Sequence, residues 1–156
     1  MEADSAKIVS VSGALFQAFV NAGASLRLLL WGSTEGEEKF DVGAWYPLTK
    51  FRALLLLTGK YRNAGVILEQ IGAEMTKCWY HQGPGRGIIS SSVDFIRYQT
   101  GSNAFQSVIS GPSEQVGTFA LDGLDEAGGT ALVRSTTVFP REMEKGILYG
   151  GLGLVG

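Results

Sequence analysis

The segment after Pro140 constrains the fold more than any other part of the chain. It reads Arg141-Glu142-Met143-Glu144-Lys145, then Gly146-Ile147-Leu148-Tyr149-Gly150-Gly151-Leu152-Gly153. Proline suits the start of a helix, and Glu142 and Glu144 suit its positive end. A helix from Arg141 to about Leu154 is predicted. Each glycine inside it costs about 1 kcal/mol relative to alanine, so tertiary packing has to compensate. Gly146 and Gly150 are four apart and Gly153 follows three later, which puts all three on one side. With no side chains there, another backbone can come close. This face is the predicted interface, and its partner is either a hairpin of the same chain or the same helix in a second copy.

The remaining pattern predicts an α+β fold in a single domain, residues 1–156. The N-terminal two thirds are helix-rich, a β-hairpin or small antiparallel sheet follows, and the Gly-rich helix closes the chain. Leu15, Phe19, Ala22, Leu26 and Leu29 step by four and three, so residues 8–30 read as helix, with Gly23 a candidate break. Ser33 to Asp41 is a charged loop. Pro47 opens a helix to about Thr58, read as buried on most sides. Asn63 caps another to about Tyr80, where Gly65 and Gly72 suggest close approach by a neighbouring backbone. Gly83-Pro84-Gly85-Arg86-Gly87 ends it. Ser91 with Asp94 resembles a capping box before a helix over about 92–110, with a kink near Gly101-Ser102. Val116–Asp122 and Thr130–Val138 read as paired strands around the turn Asp125-Glu126-Ala127-Gly128-Gly129.

Composition chiefly removes functions. There are 13 Lys and Arg against 15 Asp and Glu, and neither residues 1–80 nor residues 81–156 are dominated by one sign, so no basic arm or nucleic-acid surface is expected. One cysteine and one histidine exclude an internal disulfide, a thiolate zinc site and a His-rich metal site. Only 18% of residues are charged and mean hydropathy is +0.12, so apolar surface is expected to hide in a homodimer or a complex. Met1 to Lys7 is acidic rather than a basic leader, and no apolar run approaches the ~18 residues of a spanning helix. A cytoplasmic location without a membrane span is the expectation.

His81 closes a predicted helix. It has the chemistry of a haem ligand or a base, but stabilisation by the helix C-terminus accounts for it without either. Cys78 falls on an apolar helix side, where a buried small hydrophobe is favoured over a reactive thiol. The Gly83–Gly87 loop lacks the Lys-Ser/Thr of a phosphate loop and the spacing of a dinucleotide fingerprint. Asp122, Asp125 and Glu126 sit in a solvated turn. No Gly-x-Ser-x-Gly elbow presents a nucleophile. Trp45, Tyr46, Phe51, Trp79, Tyr80, Phe95 and Tyr98 either wall a pocket for a greasy ligand or form an ordinary core.

The order of elements resembles the superfamily of ligand-binding domains in nitric-oxide signalling and Golgi transport. That group holds vinyl-reductase-like domains, subunits of the TRAPP transport particle and haem nitric-oxide-binding domains. The stretches that carry the likeness are Trp45-Tyr46-Pro47-Leu48, Leu68-Glu69-Gln70-Ile71-Gly72 and Thr136 through Leu152, with its Gly-Ile-x-x-Gly core. The resemblance implies a non-enzymatic regulatory or scaffolding module, dimeric, that binds a small apolar ligand, a protein partner or both. With this reading the candidate ligand residues are Trp45, Tyr46, Cys78, Trp79, Phe95 and Tyr98, the candidate interface residues are Gly146, Gly150 and Gly153, and no cofactor or metal is called for. The alternative is a haem or other tetrapyrrole sensor using His81. The family's Tyr-x-Ser-x-Arg haem signature is missing, since Tyr98 is followed by Gln99, Thr100 and Gly101. In the acyl-binding TRAPP subunits a cysteine opens onto a tunnel, and Cys78 is the sole candidate for it here. The metal-binding, cysteine-clustered members are excluded by the cysteine count.

Overall fold

The structure, a computed structural model, describes residues 9–27 and 40–154. The acidic segment Met1 to Lys7, the charged loop up to residue 39 and the helical reading of residues 8 and 28–30 lie outside the described residues. The fold is α+β. It starts with strand β1 (Ser10–Ser12) rather than with helix. The alternation Val9-Ser10-Val11-Ser12 is a two-residue period, and it buries Val9 and Val11. Ser12 then caps helix α1 (Gly13–Ser25), its Oγ accepting from the Ala14 amide at 3.1 Å. The helix runs through Gly23 without a break.

Strand β2 (Trp45–Pro47) passes directly into α2 (Leu48–Leu56), so Pro47 is the extended N-cap rather than a first-turn residue. Helix α2 buries Leu48, Phe51 and Leu54 only, whereas Arg52, Ala53 and Leu56 are exposed. It is therefore amphipathic, not buried on most sides. A 3-10 turn (Leu57–Lys60) leads to the long α3 (Ala64–Gln82). Asn63 holds the N-cap position but makes no side-chain cap bond. The glycine loop contains a single turn, α4 (Gly85–Ile88), before α5 (Ser92–Gln99). At α5 the Ser91 hydroxyl accepts from the Asp94 amide at 3.0 Å, while the Asp94 carboxylate takes Ser90 N–H and O–H rather than Ser91 N–H.

The helix predicted over 92–110 is broken at Gly101. Helix α6 (Ser102–Val108) follows, and the chain then straightens into β3 (Ile109–Ser110). Strands β2 and β3 flank β1 antiparallel, with Val11 opposite both Tyr46 and Ile109. Val116 ends a single turn, α7 (Ser113–Val116), instead of starting a strand. Gly117 at φ +83° redirects the chain, and its vacant side lies against the Thr136 carbonyl. Strand β4 (Phe119–Asp125) pairs with β5 (Thr130–Ser135) in a two-stranded sheet with a bulge between Leu121 and Gly123. Helix α8 (Arg141–Leu152) closes the described chain.

The core gathers where α1, α2, α3 and α8 meet. Phe16, Phe19 and Phe51 are fully buried, and Phe51 stands edge-on to Phe139 at 5.7 Å. Helix α8 lies against α3 with backbone nearly touching backbone. A Cβ at Gly146 would strike the Glu69 carbonyl, one at Gly150 would sit 2.6 Å from the Ala73 carbonyl oxygen, and one at Gly72 would strike the Met143 carbonyl. Thr76 adds a cross-helix bond, its hydroxyl 3.0 Å from the Ile147 carbonyl oxygen. The glycine face therefore has its partner inside the chain, and that partner is α3, neither the hairpin nor a second copy. Gly153 does not belong to this face. It is exposed, with only the Tyr149 carbonyl oxygen near, 3.7 Å from a Cβ placed there. Gly151 instead meets the Phe95 ring on the other side of α8. Gly65 has no backbone neighbour, only the Glu142 side chain at 3.5 Å.

Candidate functional site

The residues expected to wall one pocket fall in three places. Tyr46 belongs to the core beside Phe16 and Phe40, with ring centroids 5.2 and 5.4 Å away, and its hydroxyl accepts from the Asp41 amide. Trp79, Phe95 and Tyr98 form a second group between α3 and α5, where the Trp79 indole stacks on Tyr98 at 5.4 Å. Gly85 fits against the face of that indole. Cys78 is half-buried near this group, and burial and the neighbouring Glu74 carboxylate both push its thiol up, away from an activated thiolate. Trp45 is in the third place, alone and half exposed.

Trp45 lines a cleft of about 560 Å³ between β3, the α5–α6 and β3–β4 connections and the start of β4. That volume is in the range of small-molecule sites. Phe105, Ile109, Val116 and Phe119 provide apolar walls alongside Trp45. Thr100, Gln106, Ser110, Ser113 and Thr118 provide neutral hydrogen-bonding groups, and Gly101, Gly111 and Gly117 complete the lining. Among the described residues no ionisable side chain lines it. A charged ligand there would lose hydration without meeting an opposite charge, so the lining selects neutral molecules.

A second, less open cavity of about 100 Å³ adjoins this outer cleft and shares Phe105 and Phe119 with it. Leu15, Ala104, Val108, Phe139, Met143 and Ile147 make it apolar, and Gln99 and Glu144 are its polar edge. Glu144 is buried in the first turn of α8. Its carboxyl accepts from Ser135 Oγ at 2.6 Å and from Thr137 Oγ1. Thr137 Oγ1 in turn accepts from the Phe139 amide, so the carboxyl pins the β5–α8 connection. Burial holds this carboxyl above the ordinary glutamate range, against the opposing pull of the two hydroxyls and Arg141.

His81 lines neither cavity. It is exposed at the end of α3, where Arg86 Nη2 lies 3.3 Å from its Nδ1, which must therefore be the acceptor. At the hairpin turn Asp125 accepts from the Gly128 amide and Glu126 pairs with Arg97, whereas Asp122 lies not in the turn but within β4, where it pairs with Arg134, all exposed. Among the described residues no three His, Cys, Asp or Glu gather to hold a metal ion. No helix there is long and apolar enough to cross a membrane.

Sequence reasoning missed Phe105, Ile109 and Phe119. A signal was present, because Gly101-Ser102, Ser110-Gly111-Pro112 and Gly117-Thr118 interrupt one short stretch with small and turn-forming residues. Such a stretch leaves space beside the apolar side chains it carries. Comparison with protein-family models, with curated proteins and with solved structures finds no match.

Proposed function

We propose that this chain is a non-enzymatic binding module, regulatory or scaffolding in role, for a small, uncharged and largely apolar molecule held in the outer cleft. The observation that carries the reading is the lining, which combines aromatic walls and neutral hydrogen-bonding groups with, among the described residues, no ionisable side chain. The one buried carboxylate among the described residues, Glu144, is already engaged by Ser135 and Thr137, which suits a structural tie better than acid–base work. A ligand-binding role is also what the resemblance to the nitric-oxide-signalling and Golgi-transport superfamily implies. Geometry favours the outer cleft over the Trp79–Phe95–Tyr98 group, and nothing in the placement of His81 favours a tetrapyrrole. Self-association loses one of its supports, since the glycine face of α8 is used within the chain.

The test is displacement of the neutral fluorophore N-phenyl-1-naphthylamine by decanol, decanoate and decylamine. Decanol should compete best, and Ser110→Trp, which fills the cleft from β3, should abolish saturable binding. Leu132→Trp, on the exposed hairpin, should bind as the parent does. Equal competition by the charged chains, or unchanged binding in Ser110→Trp, would refute the cleft as the site.

A further inference from the structure

The outer cleft and the inner cavity differ in what they can hold. The outer cleft, about 560 Å³, sets the hydroxyl-bearing Thr100, Ser110, Ser113 and Thr118 among its aromatic walls. The inner cavity, about 100 Å³, is walled by Leu15, Ala104, Val108, Phe139, Met143 and Ile147. Among the described residues Gln99 and Glu144 are the only polar side chains that line it. Glu144 already accepts from Ser135 and Thr137, so it asks no hydrogen bond of a guest. Phe105 and Phe119 belong to both linings, which makes these two half-buried rings the wall where the spaces meet. Folded interiors keep few apolar spaces larger than a water, because side chains that face one forgo dispersion contacts. A saturated chain entering the inner cavity restores them. Size selects its shape: an apolar cavity of about 150 Å³ admits a benzene ring, so one of about 100 Å³ suits an unbranched alkyl end better than an aromatic one.

We propose that the ligand is an amphiphile with a neutral hydrogen-bonding head and an unbranched alkyl tail, and that the tail passes by Phe105 and Phe119 into the inner cavity. The inference rests on the outer cleft being the ligand site, and adds to it the class and the orientation of the ligand. The head stays in the outer cleft beside the hydroxyls. A polar group at the far end of the tail would lose its water in the inner cavity, where the Glu144 carboxyl is already engaged.

Displacement of N-phenyl-1-naphthylamine by a series of straight-chain 1-alkanols tests it, each variant being calibrated by its own fluorophore titration. In the parent, affinity should rise about fourfold per methylene while the tail fills the inner cavity, and level off once it is full. Ala104→Leu fills the cavity and should level off at a shorter chain. Val108→Ala enlarges it and should level off at a longer one. Leu132→Trp, on the exposed hairpin, should keep the parental profile. An α,ω-alkanediol should bind the parent about tenfold more weakly than the 1-alkanol of the same length, since its second hydroxyl is buried unpaired. Circular dichroism and melting establish that each variant is folded, and if Ala104→Leu does not fold, Val108→Ala and the diols decide. One levelling-off length shared by the parent and a folded cavity variant would overturn the proposal, as would diols that bind as well as alkanols. Saturable fluorophore binding by the parent with no dependence on alkanol length would overturn it while leaving the outer cleft as the site. A parent that does not bind the fluorophore saturably would sink the outer cleft itself, and this inference with it.

Discussion

Glu144 shows how one residue departs from its local reading. By sequence it is a first-turn acid beside the helix N-terminus, a position that is usually solvated. Its burial depends on Ser135 and Thr137, which lie before Pro140 in what reads as the end of a strand, and no local pattern reports their approach. The consequence for stability follows from the direction of its shift. Its pKa is raised in the folded protein, so its contribution is fully present below the ordinary glutamate value and is lost as pH rises through the folded value. Glu144→Gln keeps an oxygen for the hydroxyls and removes the titration. Denaturant midpoints measured near pH 4 and pH 7 should therefore show the variant gaining on the parent as pH rises. A parent that gains on the variant over that interval would contradict the assignment. Cys78, read as a buried small hydrophobe, is only half-buried, and burial and the Glu74 carboxylate both raise its thiol pKa.

Elements were legible wherever a period was long enough to be heard. Helices α3 and α8 follow from their apolar spacing, and their glycines predict a close backbone neighbour. The identity of that neighbour is not local information, since Gly72 and Gly146 are far apart in sequence and only the fold pairs them. The errors fell on short elements. Strand β1 has only three residues, and its two-residue period was absorbed into the helical pattern that follows it. Strand β3 has two, too few for any period. The packing makes the glycines of α8 unequal, which substitution can read. Gly150→Leu forces a side chain into the Ala73 carbonyl and should cost ~1–3 kcal/mol or more, as overpacking does. Gly153→Ala meets nothing closer than ordinary contact and should be close to neutral. Gly65→Ala has room beside Glu142 and should stabilise by up to about 1 kcal/mol. Thermal melts of the three variants check the order, and a Gly150→Leu protein as stable as Gly153→Ala would mean that α3 and α8 do not pack as described.

At the scale of the whole molecule the chain has two unequal parts, a tightly packed helical body and a hairpin attached to it. An isolated two-stranded ribbon is marginal in water, and β4 and β5 pair only with each other. The hairpin's hydrogen-bonded and ionic ties to the body are few among the described residues. The Thr136 amide donates to the Thr118 carbonyl and only closes the hairpin's own base, while Glu144 holds Ser135 and Arg97 reaches Glu126 at the tip in an exposed pair worth little. The outer cleft lies at this junction, with Thr118 and Phe119 on its hairpin side and Phe105 and Ile109 on its body side. A ligand in the cleft would thus bridge the less stable part to the more stable one. The hairpin should open locally at a lower free energy than α3 or α8. Amide hydrogen exchange should accordingly be faster over 119–135 than over 69–76 or 143–150. Saturation with N-phenyl-1-naphthylamine should slow exchange selectively in 117–121, because only binding to the closed junction adds stability there. The Ser110→Trp variant should show the fast hairpin exchange without the ligand-induced slowing. Hairpin amides as protected as those of α3 in the free protein would show that the ties are stronger than their geometry implies. Slowing confined to residues 79–98 would move the ligand to the Trp79–Phe95–Tyr98 group instead.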